Sequence, residues 1–229
     1  MTKNKFELLS KSFFGLLFLI CVMGAALFLP FGSFSYHLAW LYLGVFSGSV
    51  IVITVYLFVF DKHLLKSRLA AGPIAEARTL QKIIQSMASL AFFGIFLLSA
   101  FDYKNDWSGV PLTFSYIADL MCVFAFIFLF YVFKQNTFLS ATIEVQEKQE
   151  VISNGLYGIV RHPMYAGAFI LLLFTPIALG SFLGLLPVLV LIAVIIFRIF
   201  DEEQDLKRNL IGYREYCKKV KYRLIPFIF

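Results

Sequence analysis

Six long apolar segments run through this chain, and they constrain its fold more than any other feature. They cover residues 13–30, 38–60, 83–101, 112–133, 163–179 and 182–200. Each has about the length, roughly 17 to 25 residues, that a helix needs to cross a bilayer. With 60% hydrophobic and 15% charged residues among 229, the chain has more apolar surface than one soluble core could bury. It is therefore predicted to be an integral membrane protein.

The basic residues between these segments predict how the bundle is oriented. If all six segments cross, 19 of the 20 lysines and arginines fall on one side and only Lys104 on the other. Because basic residues accumulate on the cytoplasmic side of membrane proteins, we expect both termini in the cytoplasm. An odd number of spans would scatter these residues. Anionic lipid head groups are sufficient partners for the net charge of +6, and no nucleic acid is implied.

The predicted fold is all-α, a polytopic membrane bundle of about six transmembrane helices. Only Gly180-Ser181 separates the last two apolar segments, which predicts a tight helical hairpin over residues 163–200. We divide the chain into an N-terminal four-helix membrane region, residues 1–134, and a C-terminal core, residues 135–229. The core is expected to hold a cytoplasmic loop, the hairpin and an amphipathic C-terminal segment.

Two polar stretches of this core are expected to lie on the cytoplasmic face. Residues 142–150 are too polar to span the membrane and long enough to fold over the mouth of the bundle. Residues 206–220 place apolar side chains at spacings of three and four, which predicts an amphipathic segment on the membrane or on the bundle, interrupted at Gly212. Residues 222–227 then form a compact apolar end that carries Arg223.

Ionisable residues gather at the cytoplasmic ends of the last two apolar segments. Arg161 and His162 precede Pro163, which suits the first turn of a helix because its missing N–H is not needed there. That helix start favours an anionic ligand group through its free N–H groups and its dipole. Arg198 and Glu202-Glu203 stand where the next segment leaves the membrane. Basic residues also flank many membrane helices as anchors, but two such clusters on one membrane face indicate a site.

Several common chemistries find no support in the motifs. The three histidines form no His-x-x-x-His pair, and neither a Gly-x-Ser-x-Gly elbow nor a phosphate-binding glycine loop occurs. We therefore expect no metal. Asp119 is the one acid inside the first four segments, and we expect it to face water or to cap its helix. Without a chain of such residues, a proton-coupled transporter has little support.

Three motifs follow one another through the C-terminal core. They are Gly155-x-Tyr157-x-x-x-Arg161-His162-Pro163-x-Tyr165-x-Gly167, then Arg198-x-x-x-Glu202-Glu203-x-x-Leu206, then Gly212-Tyr213-x-x-Tyr216-x-x-x-Val220-x-Tyr222-Arg223-Leu224-Ile225-Pro226. In order and spacing they resemble the isoprenylcysteine carboxyl methyltransferase and phospholipid methyltransferase family of integral membrane methyltransferases. The first 130 or so residues carry no motif.

The resemblance implies S-adenosylmethionine as methyl donor, bound on the cytoplasmic side between the last two membrane helices and the C-terminal segment. The cofactor-binding residues that it implies are Tyr157, Arg161, His162, Tyr165, Glu202 and Glu203. His162 and the helix start match the donor's carboxylate, either acid its ammonium or ribose, and the tyrosines its ring or hydroxyls. The implied catalytic residues are Tyr165, Arg198 and Arg223. Arg198 would orient Glu202 or simply pair with it, while Arg223 would hold an anionic substrate group or a lipid phosphate.

The acceptor is the least constrained part of the prediction. We expect a lipophilic acceptor that enters from the bilayer, such as an isoprenylcysteine-type carboxylate, which is already a nucleophile at neutral pH. The alternative acceptors are a phospholipid head group, a small thiol and an amine. An amine must first lose a proton. A sterol-reductase-like NADPH enzyme and a non-catalytic membrane scaffold are the alternative functions.

Overall fold

The structure, a computed structural model, describes residues 3–76, 78–143 and 149–229, and within them every regular element is helical. The helices are α1 (Lys3–Phe31), α2 (His37–Phe60), α3 (Lys62–Leu69), α4 (Thr79–Asn105), α5 (Leu112–Gln135), α6 (Pro163–Ala178), α7 (Leu185–Asn209) and α8 (Tyr213–Lys219), with a 3-10 turn at Gly155–Gly158. The loop expected to fold over the mouth of the bundle falls largely at residues 144–148, outside the described residues.

Four helices, α1, α2, α4 and α5, are long and apolar enough to cross a membrane, as the first four apolar segments predict. The chain is thus an integral membrane protein. α6 has 16 residues, about 24 Å at 1.5 Å per residue, which is less than the ~30 Å thickness of the hydrocarbon core. α7 has 25 residues, but its second half carries several charged side chains. Six spans with both termini cytoplasmic therefore stay a prediction.

The connection between α6 and α7 is looser than the predicted tight hairpin. α6 ends at Ala178 and α7 begins at Leu185, so residues 179–184 join them rather than Gly180-Ser181 alone. α6 packs chiefly against α5, and α7 packs chiefly against α4. α6 and α7 contact each other less than they contact these two partners. Their divergence leaves space between them.

A buried carboxylate fastens this connection to α4 at the end of the bundle away from the predicted site. Asp102 is fully buried, and its Oδ2 accepts hydrogen bonds from Oγ of Ser181 at 2.5 Å and from the backbone N–H of Leu183 at 3.1 Å. Gly184, the N-cap of α7, lies in close contact with α4, where a side chain would clash with Ser99. Asp119 is different, because it is buried and neither carboxyl oxygen has a hydrogen-bond partner among the described residues. The expectation that it faces water or caps its helix is wrong.

The C-terminal segment lies on protein. α7 continues to Asn209, and Gly212 separates it from α8 with a φ of +84°, which confirms the predicted interruption because glycine adopts this left-handed conformation without strain. Side chains spaced along the segment form one buried cluster, namely Leu210, Tyr213, Tyr216 and Val220, packed against Val151 and Leu206. The apolar face of this segment therefore packs on the protein, at the end of the bundle that holds the predicted site.

The short helix α3 was not predicted by the apolar pattern. Asp61 caps its N-terminus by accepting a hydrogen bond from the backbone N–H of Leu64 at 2.9 Å, and Leu64 and Leu65 are buried against α2. Arg68, in the last turn of the helix, lies close to α5 and α6.

Candidate active site

Glu203 is the centre of an ion-pair cluster that joins the end of α7 to the start of α6. Its Oε1 lies 2.7 Å from Nε of Arg161 and 3.3 Å from Nε of Arg223, and its Oε2 lies 3.0 Å from Nζ of Lys207. Nε2 of His162 is 3.4 Å from Oε1. Only 1% of Glu203 is exposed, so the negative charge of the carboxylate is matched almost entirely by protein groups.

These contacts decide the ionisation of Glu203. Burial alone raises its pKa, but hydrogen bonds from His162 and Lys207 and the positive charge of Arg161 outweigh the burial. The pKa of Glu203 therefore lies well below its usual range, and the group stays a carboxylate at any physiological pH.

The same cluster attaches the C-terminal segment to the start of α6. Nη1 of Arg161 donates to the carbonyls of Val220 at 2.9 Å and Lys221 at 3.1 Å. The backbone N–H groups of Arg161 and His162 donate to the carbonyls of residues 222 and 223, both at 2.9 Å. Arg161 and Glu203 are thus engaged by the protein itself. Their contacts favour holding the chain in place over the direct cofactor binding that the resemblance implied.

Tyr157 lies beside this cluster in a tightly filled region. Its backbone carbonyl accepts a hydrogen bond from the hydroxyl of Tyr216 at 2.7 Å. Tyr157, Arg161 and Tyr216 line a cavity of about 60 Å³, which has room for a few water molecules and not for a nucleoside. Tyr157 therefore contacts the covering segment.

The hydroxyl of Tyr165 links Arg198 and Glu202, two predicted site residues of α7. Its hydroxyl donates to Oε2 of Glu202 at 2.7 Å and accepts from Nε of Arg198 at 3.1 Å. Since a guanidinium only donates, the phenol hydrogen is directed to Glu202. Glu202 forms no ion pair with any residue that the structure describes, in contrast to its neighbour Glu203. The direct Arg198–Glu202 pair considered from the sequence is absent, and Tyr165 bridges the two instead.

Arg198 is held by groups that the sequence did not indicate. Its Nη2 lies 2.7 Å from Oε1 of Glu76 and donates to the carbonyl of Ala141 at 2.9 Å. Its Nη1 donates to the side-chain oxygens of Gln81 and Gln85, each at 3.1 Å. A signal was present in the sequence, because two glutamines four residues apart share one face at the start of an apolar helix. Their partner, far along the chain, could not be inferred.

An amphipathic cavity of about 420 Å³ lies next to Tyr165 and Arg198, in the space between α4, α5, α6 and α7. Its polar end includes Arg68, Gln85, Ser140, Tyr165 and Arg198, and its apolar part includes Phe92, Leu129, Leu172, Leu191 and Val194. This volume falls within the roughly 300 to 1,000 Å³ of small-molecule sites. The arrangement suits a ligand with one polar end and a hydrocarbon part.

A second space lies on the outer surface of the same helices. An almost entirely apolar groove of about 370 Å³ runs over α4 and α7, where Val190 and Phe197 are largely exposed. Ile84 and Val194 line both this groove and the inner cavity. Single side chains therefore separate the cavity from the apolar surface of the bundle.

Arg223, the third predicted catalytic residue, lies apart from Tyr165 and Arg198. Its guanidinium lies 5.1 Å from the ring of Phe200 and 5.3 Å from that of Phe229, and its Nε faces Glu203. It does not line the cavity beside Tyr165. Of the three residues, the structure brings Tyr165 and Arg198 together and places Arg223 in the Glu203 cluster.

Comparison with known proteins agrees with the motifs. Residues 113–210, from the start of α5 to the end of α7, match the family model described as phospholipid methyltransferase. Delta(14)-sterol reductase TM7SF2 of Mus musculus is 35% identical over 91 residues, which are 38% of this chain and 22% of that protein. The chain thus corresponds to about a fifth of the length of this relative. The resemblance predicted from the motifs is confirmed for the matched region.

Proposed function

From the match of residues 113–210 to the phospholipid methyltransferase family, we propose that the chain is an S-adenosylmethionine-dependent membrane methyltransferase acting on a lipophilic acceptor. One observation carries the proposal most. Within the matched region, Tyr165 joins Arg198, at the polar end of an amphipathic cavity, to Glu202, a carboxylate with no ion-pair partner among the described residues.

The residues present fit a positively charged cofactor. S-adenosylmethionine, when bound, supplies a methyl group on a cationic sulfur and also carries an ammonium and a carboxylate. Glu202 offers an unmatched negative charge, whereas Glu203 is already matched by three cations. We therefore assign Glu202, held by Tyr165, to the ammonium or the ribose. His162 is the N-cap of α6, its ring lies 5.8 Å from that of Tyr165, and it is the residue we assign to the carboxylate.

The contribution of the protein is chiefly positioning. Arg198 is fixed by Glu76 and Gln81, and through its Nε it fixes the hydroxyl of Tyr165. That hydroxyl in turn fixes Glu202. Holding two reactants in line supplies much of the rate enhancement available to a displacement of this kind. The C-terminal segment, attached through Arg161 and Glu203, covers this end of the bundle and excludes water from it.

The amphipathic cavity supports a lipophilic acceptor. Its apolar part can hold a hydrocarbon chain while the reacting end lies near Tyr165 and Arg198. The outer groove that shares Ile84 and Val194 with the cavity supports access from the bilayer. An isoprenylcysteine-type carboxylate would need no general base, and an amine would need one. We place this site, with both termini, on the cytoplasmic side.

A second candidate is a sterol-reductase-like enzyme that uses NADPH. The observation that favours it is the 35% identity to Delta(14)-sterol reductase TM7SF2 over part of the chain. The same cavity would then hold a sterol, and Glu202 would have no cationic partner to bind.

Transfer of labelled methyl groups tests the proposal. Purified protein in nanodiscs of uncharged lipid is given tritium-labelled S-adenosylmethionine with prenylcysteine analogues, amino-headgroup lipids or small thiols. We expect label in a lipophilic acceptor, lost in Glu202→Gln and kept in Glu215→Gln, an exposed acid on α8. Label only in a water-soluble thiol would refute the lipophilic acceptor. Label in no acceptor would count against a methyltransferase and for the reductase or a scaffold.

A further inference from the structure

Arg68, at the end of α3, reaches into the polar end of the amphipathic cavity. Its Nη1 donates to the carbonyl of Ser140 at 3.0 Å and lies 3.4 Å from Sδ of Met164. Its guanidinium lies 5.3 Å from the ring of Phe133. It lines the cavity together with Tyr165 and Arg198. A residue that first looks like a charge orienting the membrane helices thus lies within the candidate site.

Several charged side chains near the cavity form ion pairs. Arg198 pairs with Glu76, the exposed Arg78 pairs with Asp201, and Glu203 pairs with the cations around it. Arg68 differs, because no carboxylate of the described residues lies within ion-pair distance of it. Burial, its largest effect, lowers the pKa of Arg68, yet an arginine in a protein stays protonated. Arg68 therefore brings to the cavity a positive charge with no ion-pair partner among the described residues, and Glu202 attracts it only at longer range.

The hydrogen bonds of the two arginines also differ. Arg198 uses all three nitrogens on Tyr165, Gln81, Gln85, Ala141 and Glu76. Arg68 donates from Nη1 alone to described residues, and its Nε and Nη2 make no hydrogen bond to them. A planar guanidinium with spare donors suits an oxyanion, which it can bind through two parallel hydrogen bonds.

We propose that Arg68 binds the anionic head group of the acceptor, whose hydrocarbon part occupies the cavity between α4 and α7. This inference rests on the proposed function in treating the occupant as the methyl acceptor. It replaces Arg198 and Arg223 as the head-group residue, because both are engaged by the protein. The acceptor class is thus an amphiphile with a carboxylate or phosphate head and an apolar chain.

Binding of matched amphiphiles tests this assignment without relying on turnover. Wild-type protein, Arg68→Gln, Arg68→Lys and Lys66→Gln are placed in nanodiscs of uncharged lipid. Lys66 is the matched control, because it lies exposed on the same helix outside the cavity. Equilibrium binding is measured for labelled N-dodecanoylglycine, its methyl ester, dodecyl phosphate and dodecyltrimethylammonium, and the melting temperature of each variant checks its folding.

We expect wild type and Lys66→Gln to bind an anionic amphiphile about ten- to a hundredfold more tightly than the ester. Arg68→Gln should lose this preference and Arg68→Lys should keep part of it. The carboxylate and phosphate arms identify which head group is taken. Equal binding of acid and ester by wild type, or an unchanged preference in Arg68→Gln, would overturn the assignment.

S-adenosylhomocysteine binding on the same samples separates this inference from the proposed function. Wild type and Arg68→Gln should bind it equally. If wild type binds S-adenosylhomocysteine but does not prefer the anionic amphiphile to the ester, only the role of Arg68 is contradicted. Absence of S-adenosylhomocysteine binding with the anion preference intact contradicts the methyltransferase and leaves Arg68 as an anion site.

Discussion

Nε of Arg161 lies 2.7 Å from Oε1 of Glu203, and both side chains are almost fully buried, with 5% and 2% of their surfaces exposed. This contact holds the first turn of α6, the end of α7 and the C-terminal segment together. Removing the acid leaves Arg161 buried without its counter-charge. We expect Glu203→Gln to destabilise the protein by about 3 to 5 kcal/mol, as for other broken buried pairs.

The matched control for that change is the adjacent acid. Glu202 forms no ion pair with a described residue and accepts a hydrogen bond from Tyr165. Glu202→Gln should therefore cost less than about 1.5 kcal/mol. Chemical unfolding of both variants in detergent micelles measures the difference, and equal losses would contradict the separate roles of the two acids.

The pH dependence of stability follows from Glu203. Its pKa is lower in the folded protein than in the unfolded chain, where a glutamate has a value of roughly 4.3. The stabilisation is therefore complete above the unfolded-state value and is lost as the pH falls below it. The melting temperature of wild type should drop below about pH 4.3 more steeply than that of Glu203→Gln. Parallel curves would show that another group controls acid unfolding.

Access to the cavity from the membrane can be blocked at a single position. Ile84 lines both the inner cavity and the outer groove, whereas Leu80 lines only the groove. Ile84→Trp should weaken binding of a twelve-carbon acceptor by about ten- to a hundredfold, because it fills the space with little cost to folding. Binding of S-adenosylhomocysteine should not change. Leu80→Trp is the control, and an equal effect of both substitutions would argue against this route.

The orientation of the bundle is testable independently of any activity. Reporter fusions after Phe229 and within residues 102–109 should report opposite sides of the membrane, with the C-terminus cytoplasmic, because the basic residues are so unevenly distributed. Reports from the same side would contradict six spans. A periplasmic or lumenal C-terminus would invert the site.

The long apolar helices were predictable and their polar contacts were not. The first four spans agree with the sequence because a continuous apolar run specifies a membrane helix by itself. α3 escaped prediction because its polar residues carry no periodic pattern, and Asp61 was the only sign of its start. The splay of α6 and α7 depends on packing against α5 and α4, which a short connecting turn does not reveal.

The sequence predicted which residues gather near the candidate site better than it predicted the contacts that each of them makes. Glu202 and Glu203 are neighbours in the sequence, but successive helical residues point in directions about 100° apart. One therefore meets Tyr165 and the other meets Arg161. Glu76 and Arg68 were missed, because only the tertiary structure brings them beside Arg198 and the cavity.

Calorimetric titration of purified protein with S-adenosylhomocysteine and, separately, with NADPH tests the proposed methyltransferase most directly. We predict saturable binding of S-adenosylhomocysteine, weakened about ten- to a hundredfold in Glu202→Gln through loss of a charge-assisted contact. Glu215→Gln should bind like wild type, and NADPH should give no binding heat. Saturable binding of NADPH with none of S-adenosylhomocysteine would contradict the methyltransferase and support the reductase.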